Sequence, residues 1–181
     1  MTRPIHIRQA TLADAPEIAR VQVETWGVAY RGLVPDALID QMRVPDRTTM
    51  WEKILNTYDE SGRGAAAVAE RDGEIVGFGS WNPQREAELE DEGFTGEVTS
   101  LYVLSDHQRA GVGRALMSWL GHGLADGGHA AAALWVLSNN AGACAFYEAL
   151  GGEAIRTRTD PHGGDVSETA FGWVDLSALT R

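Results

Sequence analysis

Three places in the chain set reactive side chains at spacings that could do chemistry. The first is Leu101-Tyr102-Val103-Leu104-Ser105-Asp106-His107-Gln108-Arg109-Ala110-Gly111-Val112-Gly113-Arg114. An apolar run feeds a polar turn with two glycines, and a helical period follows from Val112. Gly111 and Gly113 let backbone come close to something bulky. The first N–H groups of a helix have no intrahelical partners, and with the macrodipole they make an anion site. Arg109 and Arg114 add fixed positive charge. A pyrophosphate is the natural guest. A turn that is tight for packing alone would read the same way. The second place runs from Asn140 to Tyr147, seven residues apart and so on one helix face. The third is Glu97, on the strand-like run that precedes the glycine turn.

The kind of pyrophosphate site can be narrowed. A P-loop requires Gly-Lys-Ser/Thr, and Gly113 is followed by Arg114-Ala115. A dinucleotide fingerprint requires Gly or Ala at position 116, where Leu116 sits, and a parallel βαβ context near the N-terminus. Both fail.

The elements that must position these residues follow from pattern. Ile5 to Gln9 alternates as a strand. Thr11-Leu12-Ala13-Asp14 reads as a capping box opening a helix to about Trp26. Pro35 and Pro45 sit where two further helices can begin. Residues 65–70 and 74–81 are apolar runs joined by Arg71-Asp72-Gly73, a hairpin signal. Residues 84–93 are acidic and polar and read as a loop. Residues 96–104 read as a strand, 112–125 as a helix, 131–137 as a buried strand and 140–150 as a helix stopped by Gly151-Gly152. Gly121 and Gly123 each cost the 112–125 helix about 1 kcal/mol against alanine, which leaves its end open. Residues 153–158 and 166–174 close the chain as a hairpin. The order β-α-α-α-β-β-β-α-β-α-β-β has one strand-helix-strand crossover region, 96–137. It predicts an α/β chain of the α+β type, with a mixed sheet of about seven strands and helices on its faces.

Composition bounds the rest. The 181 residues fit one domain, 1–181. Hydrophobic residues are 44% and charged residues 23%, which argues against disorder. Fifteen basic and twenty-six acidic residues give a net charge of −11, so nucleic-acid binding lacks its basic footprint. One cysteine, Cys144, excludes an internal disulfide and a cysteine-rich zinc site. No secretory pattern is visible, and the longest apolar run, 130–137, is too short to span a bilayer. These features predict a cytoplasmic protein without a membrane role.

Gln108, Gly111 and Gly113 match the pattern Gln/Arg-x-x-Gly-x-Gly/Ala, and Asn140, Ala143, Phe146 and Tyr147 match Asn-x-x-Ala-x-x-Phe-Tyr. In this order the two motifs resemble the GNAT superfamily of acyl-CoA-dependent N-acyltransferases. The likeness extends to Ile7-Arg8-Gln9-Ala10-Thr11 with Asp14 and to the 65–81 hairpin, so it covers nearly the whole chain. The chain departs from the family at Gly152, where an aromatic residue more often follows Leu-Gly.

The resemblance implies a mostly antiparallel GNAT-like sheet and acetyl transfer from acetyl-CoA to an amine, directly and in a ternary complex. It implies a coenzyme A site on Gln108, Arg109, Ala110, Gly111, Val112, Gly113 and Arg114. Leu101, Tyr102 and Val103 would pair with the pantetheine arm through their backbone. An oxyanion donor at a strand bulge would lie near the same three residues. Asn140 would contact that arm, or simply cap its helix. Tyr147 would protonate the departing thiolate, or else pack on the sheet as a half-buried aromatic. Glu97 would act as general base through water, or else be a solvated strand-end charge. By alternation it shares a face with Thr99, Leu101 and Val103, about 13 Å from chemistry beside Leu101.

The energetics weight these roles. Deprotonating an alkyl ammonium at pH 7 costs roughly 4–5 kcal/mol, whereas a departing thiolate is short of neutrality by only roughly 2 kcal/mol. Base assistance or a lowered amine pKa therefore matters more. Trp26 and Tyr30 could line the acceptor site, or could be ordinary core. The acids Glu86, Glu88, Glu90, Asp91 and Glu92 could attract a cationic acceptor, or be a solvated loop. His122 and His129 lack an acidic partner at ligand spacing, so no metal site is expected. The acceptor expected is a small, cationic amine, set by segments 26–45, 82–95 and 159–167. A homodimer is compatible with the family. Two other functions fit the same residues: an acyl-CoA-binding sensor without turnover, or acetylation of a protein N-terminus or lysine.

Overall fold

The computed structural model describes residues 4–159 and 166–180. Seven strands form one sheet: β1 (His6–Gln9), β2 (Ala65–Arg71), β3 (Glu74–Pro83), β4 (Gly96–Val103), β5 (Ala132–Leu137), β6 (Glu153–Thr159) and β7 (Ser167–Trp173). Their order across the sheet is β1-β2-β3-β4-β5-β7-β6. Every pairing is antiparallel except β4 with β5. That parallel pair is the product of the crossover read at 96–137, since a parallel connection needs a helix to carry the chain back.

Six α-helices flank the sheet in the described residues: α1 (Ala15–Ala29), α2 (Asp36–Asp40), α3 (Val44–Ser61), α4 (Ala87–Asp91), α5 (Val112–Asp126) and α6 (Ala141–Ala149). Helices α1 and α3 cover what we call the front face. Ile18, Val21, Trp51 and Leu55 meet Val68 and Phe78 there. Helices α5 and α6 cover the back. Met117, Leu120 and Leu124 of α5 pack with Val98, Leu134 and Phe171, and with Tyr147 and Leu150 from α6 and its end. Pro45 sits in the first turn of α3, where its missing N–H costs nothing, and Gly62 ends the helix in the left-handed region at φ 62°.

The capping signal at Thr11 belongs to a larger network. The Thr11 amide and hydroxyl both donate to the Asp14 carboxylate, at 2.8 and 3.1 Å. Arg8 on β1 donates to the same carboxylate at 2.8 and 2.9 Å and to Glu70 on β2 at 2.7 Å. One turn of 3-10 helix (Leu12–Asp14) separates this cap from α1, which runs three residues past Trp26 to Ala29.

One expectation is corrected. The acidic segment 84–93 is not all loop: α4 forms within it, because Leu89 is fully buried against Phe94, Ala133 and Ala170. The end of α5, left open by its glycines, falls at Asp126, one residue past the expected bound. A Cβ on Gly123 would fall 2.4 Å from Trp81 Nε1, so that position makes room for the indole and the helix continues to Asp126.

Candidate active site

The parallel pairing of β4 with β5 lasts two residues, Gly96 with Ala132 and Glu97 with Ala133. Beyond that point β4 stays paired with β3 through Val103, and β5 with β7 through Leu137. Their facing edges no longer bond to each other. A seam therefore opens in mid-sheet, bordered by Leu101, Tyr102 and Val103. It points toward the glycine turn, which directly follows β4.

At the mouth of the seam, Gln108 Nε2 donates to the Val103 carbonyl at 3.0 Å and fastens the turn to the strand end. Arg109 adopts φ 56° and Gly111 φ 84°, both left-handed. These values swing the chain so that α5 starts without a side-chain cap. The first helical bond into α5 is the Ala115 N–H on the Gly111 carbonyl, at 3.0 Å. The amides of Val112, Gly113 and Arg114 precede it. Arg109 and Arg114 are exposed and form no ion pair among the described residues. The turn thus presents unpaired helix donors and two uncommitted cations, the chemistry that suits an anion.

The two glycines serve different needs. A Cβ at Gly111 would meet nothing within 4 Å, so only its left-handed φ calls for glycine. A Cβ at Gly113 would lie 3.1 Å from Phe146 Cζ, so Gly113 admits the ring of Phe146 on α6.

Helix α6 begins at Asn140, whose Oδ1 accepts from the Ala143 N–H at 3.2 Å. The helix cap is therefore real. One helix face later, Tyr147 is buried at 8% exposure. Its ring meets Phe146, Phe171 and Trp173 at centroid distances of 5.3, 5.9 and 6.1 Å. Burial pushes the Tyr147 hydroxyl well above the usual phenol range, and Tyr102 and Cys144 push it the same way. Tyr147 holds its proton throughout the neutral range.

Sequence alternation misplaces Glu97. The register of β4 against β3 slips between Ser80 and Trp81, leaving Thr99 as an extra residue. The bulge lies upstream of the stretch expected to hold it, Leu101 to Val103. It also resets the phase of the strand. Leu101 and Val103 pack on the back with Val112 and Leu116, whereas Thr99 bonds Ser80 at 2.7 Å and lines a front-face cavity. Glu97 goes to the front with Thr99, away from Leu101 and Val103. There it is 5% exposed, and both its oxygens are taken by Arg85, at 2.7 Å from Nη2 and 2.9 Å from Nε.

Front-face aromatics approach the seam from α1. The Trp26 and Tyr30 rings lie 4.6 Å apart. Trp26 Nε1 donates to the Tyr102 hydroxyl at 3.2 Å, and Tyr102 stacks at 5.3 Å on Phe78. The Tyr30 phenol is pushed up by burial, then by its neighbours Tyr102 and Tyr147. Three tyrosines from α1, β4 and α6 thus converge on the seam. Tyr102 had been expected to contribute only backbone, and periodicity carries no signal for its side chain.

The acids at 86–92 are partly committed. Glu88 and Glu92 pair with Arg156, and Glu86 with Arg158. Arg158 also lies 3.9 Å over the Trp135 ring and 2.9 Å from Glu168. Residues 160–165 of the expected acceptor segment 159–167 lie outside the described residues. Cys144 is half-buried with its thiol pushed up by burial, the state of an unreactive thiol. No group of three His, Cys, Asp or Glu side chains suited to a metal occurs among the described residues, and no described helix is long and apolar enough to cross a membrane.

Residues 33–152 match the Acetyltransferase (GNAT) family, and the chain belongs to that family as an acyltransferase. It is similar to an uncharacterized N-acetyltransferase, YuaI, of Bacillus subtilis (strain 168), with 30% identity over 97% of this chain and 96% of the relative. Its fold is similar to that of the PaiA N-acetyltransferase of Thermoplasma acidophilum in complex with coenzyme A, with TM-score 0.72 and 19% identity over 92% of this chain and 98% of that one. It is also similar to yncA, a putative acetyltransferase from Salmonella typhimurium with its cofactor acetyl-CoA, with TM-score 0.68 and 21% identity over 95% and 94% of the two chains.

Proposed function

We propose that the protein moves an acetyl group from acetyl-CoA to the primary amine of a small acceptor, directly and in a ternary complex. The observation that carries this reading is the seam between β4 and β5, open from Val98 onward and ending at the free amides of α5. The residues present fit the cosubstrate. The amides of Val112 to Arg114, with Gln108 to Gly111 shaping the turn, suit a pyrophosphate, and Arg109 and Arg114 supply its countercharge. The edge of β4 from Leu101 to Val103 suits the amides of a pantetheine arm. Asn140 borders the same arm. The bound cosubstrate supplies the acyl thioester.

The chain's own groups manage protons. Tyr147 holds a proton on its hydroxyl, in a buried setting beside the seam, for delivery to a departing thiolate. Glu97 takes the amine proton through water, from the front side of the bulge, when Arg85 yields part of its fork. The acidic run at 86–92 gives little reason for a cationic acceptor, because three of its carboxylates are held by Arg156 and Arg158.

Two measurements test the reading. Thiol release from acetyl-CoA is followed against amines, amino acids, aminoglycosides and peptides, and turnover with a small amine is expected. Silence from every acceptor with tight coenzyme A binding would favour a sensor. Calorimetric titration of coenzyme A into Gly111→Val is expected to show affinity about fivefold to thirtyfold weaker, because valine resists the left-handed φ by about 1–2 kcal/mol. Unchanged affinity would sink the phosphate-site assignment.

A further inference from the structure

A cavity of about 410 Å³ lies between α3 and the front of β3 and β4. That volume suits a small metabolite. Its charged lining residues are Lys53, Arg63 and Arg85, and no carboxylate lines it. In a chain with 15 basic and 26 acidic residues this is a local reversal of sign. Arg85 is matched by Glu97 behind it. Lys53 and Arg63 form no ion pair among the described residues.

The rest of the lining is rich in hydrogen-bonding groups. Ser80 and Thr99 share a hydroxyl bond of 2.7 Å, and the Tyr58 hydroxyl donates to Asn82 Oδ1 at 3.2 Å. The cavity reaches Thr99 and Ser100, two and three residues beyond Glu97, the last residue of β4 that pairs with β5. A small molecule held there by one end therefore has its other end at the seam. Uncommitted cations over a polar floor create a positive potential that attracts anions and rejects cations. An anionic group docked on them gains charge-assisted hydrogen bonds.

We propose that this cavity binds the acceptor by an acidic group, a carboxylate or a phosphate, so that the substrate is an amine that also carries an acid. Lys53 and Arg63 hold that acid, and the amine is left to face the β4 bulge. The proposal rests on the acetyl-transfer reading and specifies its acceptor.

The test is thiol release from acetyl-CoA with matched acceptors: amino acids beside their carboxamides, phosphoethanolamine beside ethanolamine, and spermidine as a polycation. The acid-bearing member of a pair is expected to exceed its neutral partner about tenfold or more in kcat/KM. Which pair shows the effect identifies the acid as carboxylate or phosphate. The double variant Lys53→Gln with Arg63→Gln is expected to raise KM for that acceptor by a similar factor. Turnover of the neutral partner and calorimetric affinity for coenzyme A should stay as they are. Equal use of acidic and neutral partners, a preference for spermidine, or a double variant that keeps the acid preference overturns the proposal and leaves acetyl transfer standing. Absence of thiol release from every amine, with coenzyme A still bound, overturns the acetyl-transfer reading and this proposal with it.

Discussion

Gly113 on α5 and Phe146 on α6 touch so closely that a single added carbon would sit 3.1 Å from the ring. The helix that opens the anion site and the helix that carries Tyr147 are therefore fitted to each other at their N-terminal and middle turns. Gly113→Val should force them apart. It should destabilise the fold by about 1–3 kcal/mol and weaken coenzyme A binding together, with urea unfolding and calorimetry as the measurements. Phe146→Leu, which trims the ring, should recover part of both losses in the double variant.

Tyr147→Phe removes the hydroxyl, and with it the proton it could deliver, and leaves the ring to pack. Turnover at neutral pH should fall by about tenfold to a thousandfold, with little change in affinity for coenzyme A. Because burial raises the Tyr147 phenol, its neutral form is favoured and the proton is lost only above the usual phenol range. Wild-type kcat should thus show no descending limb from this group between pH 6 and about 9. Wild-type turnover by the phenylalanine variant would remove Tyr147 from the mechanism.

Glu97→Gln tests the base. The amide keeps the shape of the side chain yet cannot take a proton. Steady-state rates across pH should drop about tenfold or more near neutrality and converge with wild type at high pH, where the amine is already free. A uniform drop at every pH would instead mark Glu97 as structural, through its fork with Arg85.

Asp14 gives a stability prediction with a definite sign. Hydrogen bonds from Arg8 hold its carboxyl below the usual carboxylate range, with further help from Thr11. A depressed folded-state pKa adds stability that is present above the unfolded value and is lost as pH falls through the folded one. Unfolding free energy should therefore decline in acid partly through this residue. Asp14→Asn should cost about 2 kcal/mol at pH 7 and flatten that acid dependence, measured by urea titration at several pH values.

Much of this arrangement was legible in the residues. Strand alternation and helical period located all seven strands and the helices that matter. The glycine turn and the Asn140–Tyr147 spacing pointed to the seam. What the sequence hid was non-local. The bulge at Thr99 depends on how β4 fits β3, and no local pattern announces one extra residue. Missing it put Glu97 on the wrong face. The Arg85–Glu97 fork joins residues 12 apart across the connection that carries α4. Helix α4 is hidden in the sequence because five acids, Glu86, Glu88, Glu90, Asp91 and Glu92, crowd the segment, while one buried leucine, Leu89, decides its position. Gly113 reads in the sequence as a phosphate residue, and in the fold a side chain there would first meet the aromatic ring of Phe146.

The brief β4–β5 pairing has a mechanical consequence. Backbone hydrogen bonds tie β1 through β4 into one plate and β5 through β7 into another, and only two residue pairs join the plates directly. The other attachments are side-chain contacts: the back-face core, where Met117, Leu120 and Leu124 meet Val98, Leu134 and Phe171, the packing of Leu89 and Phe94 on Ala133 and Ala170, and the ion pairs of Glu86, Glu88 and Glu92 with Arg156 and Arg158. Side-chain contacts slide more readily than a hydrogen-bonded ladder. The molecule is consequently built as two hydrogen-bonded leaves joined mostly through side chains, and the line between them runs along the seam proposed for the cosubstrate.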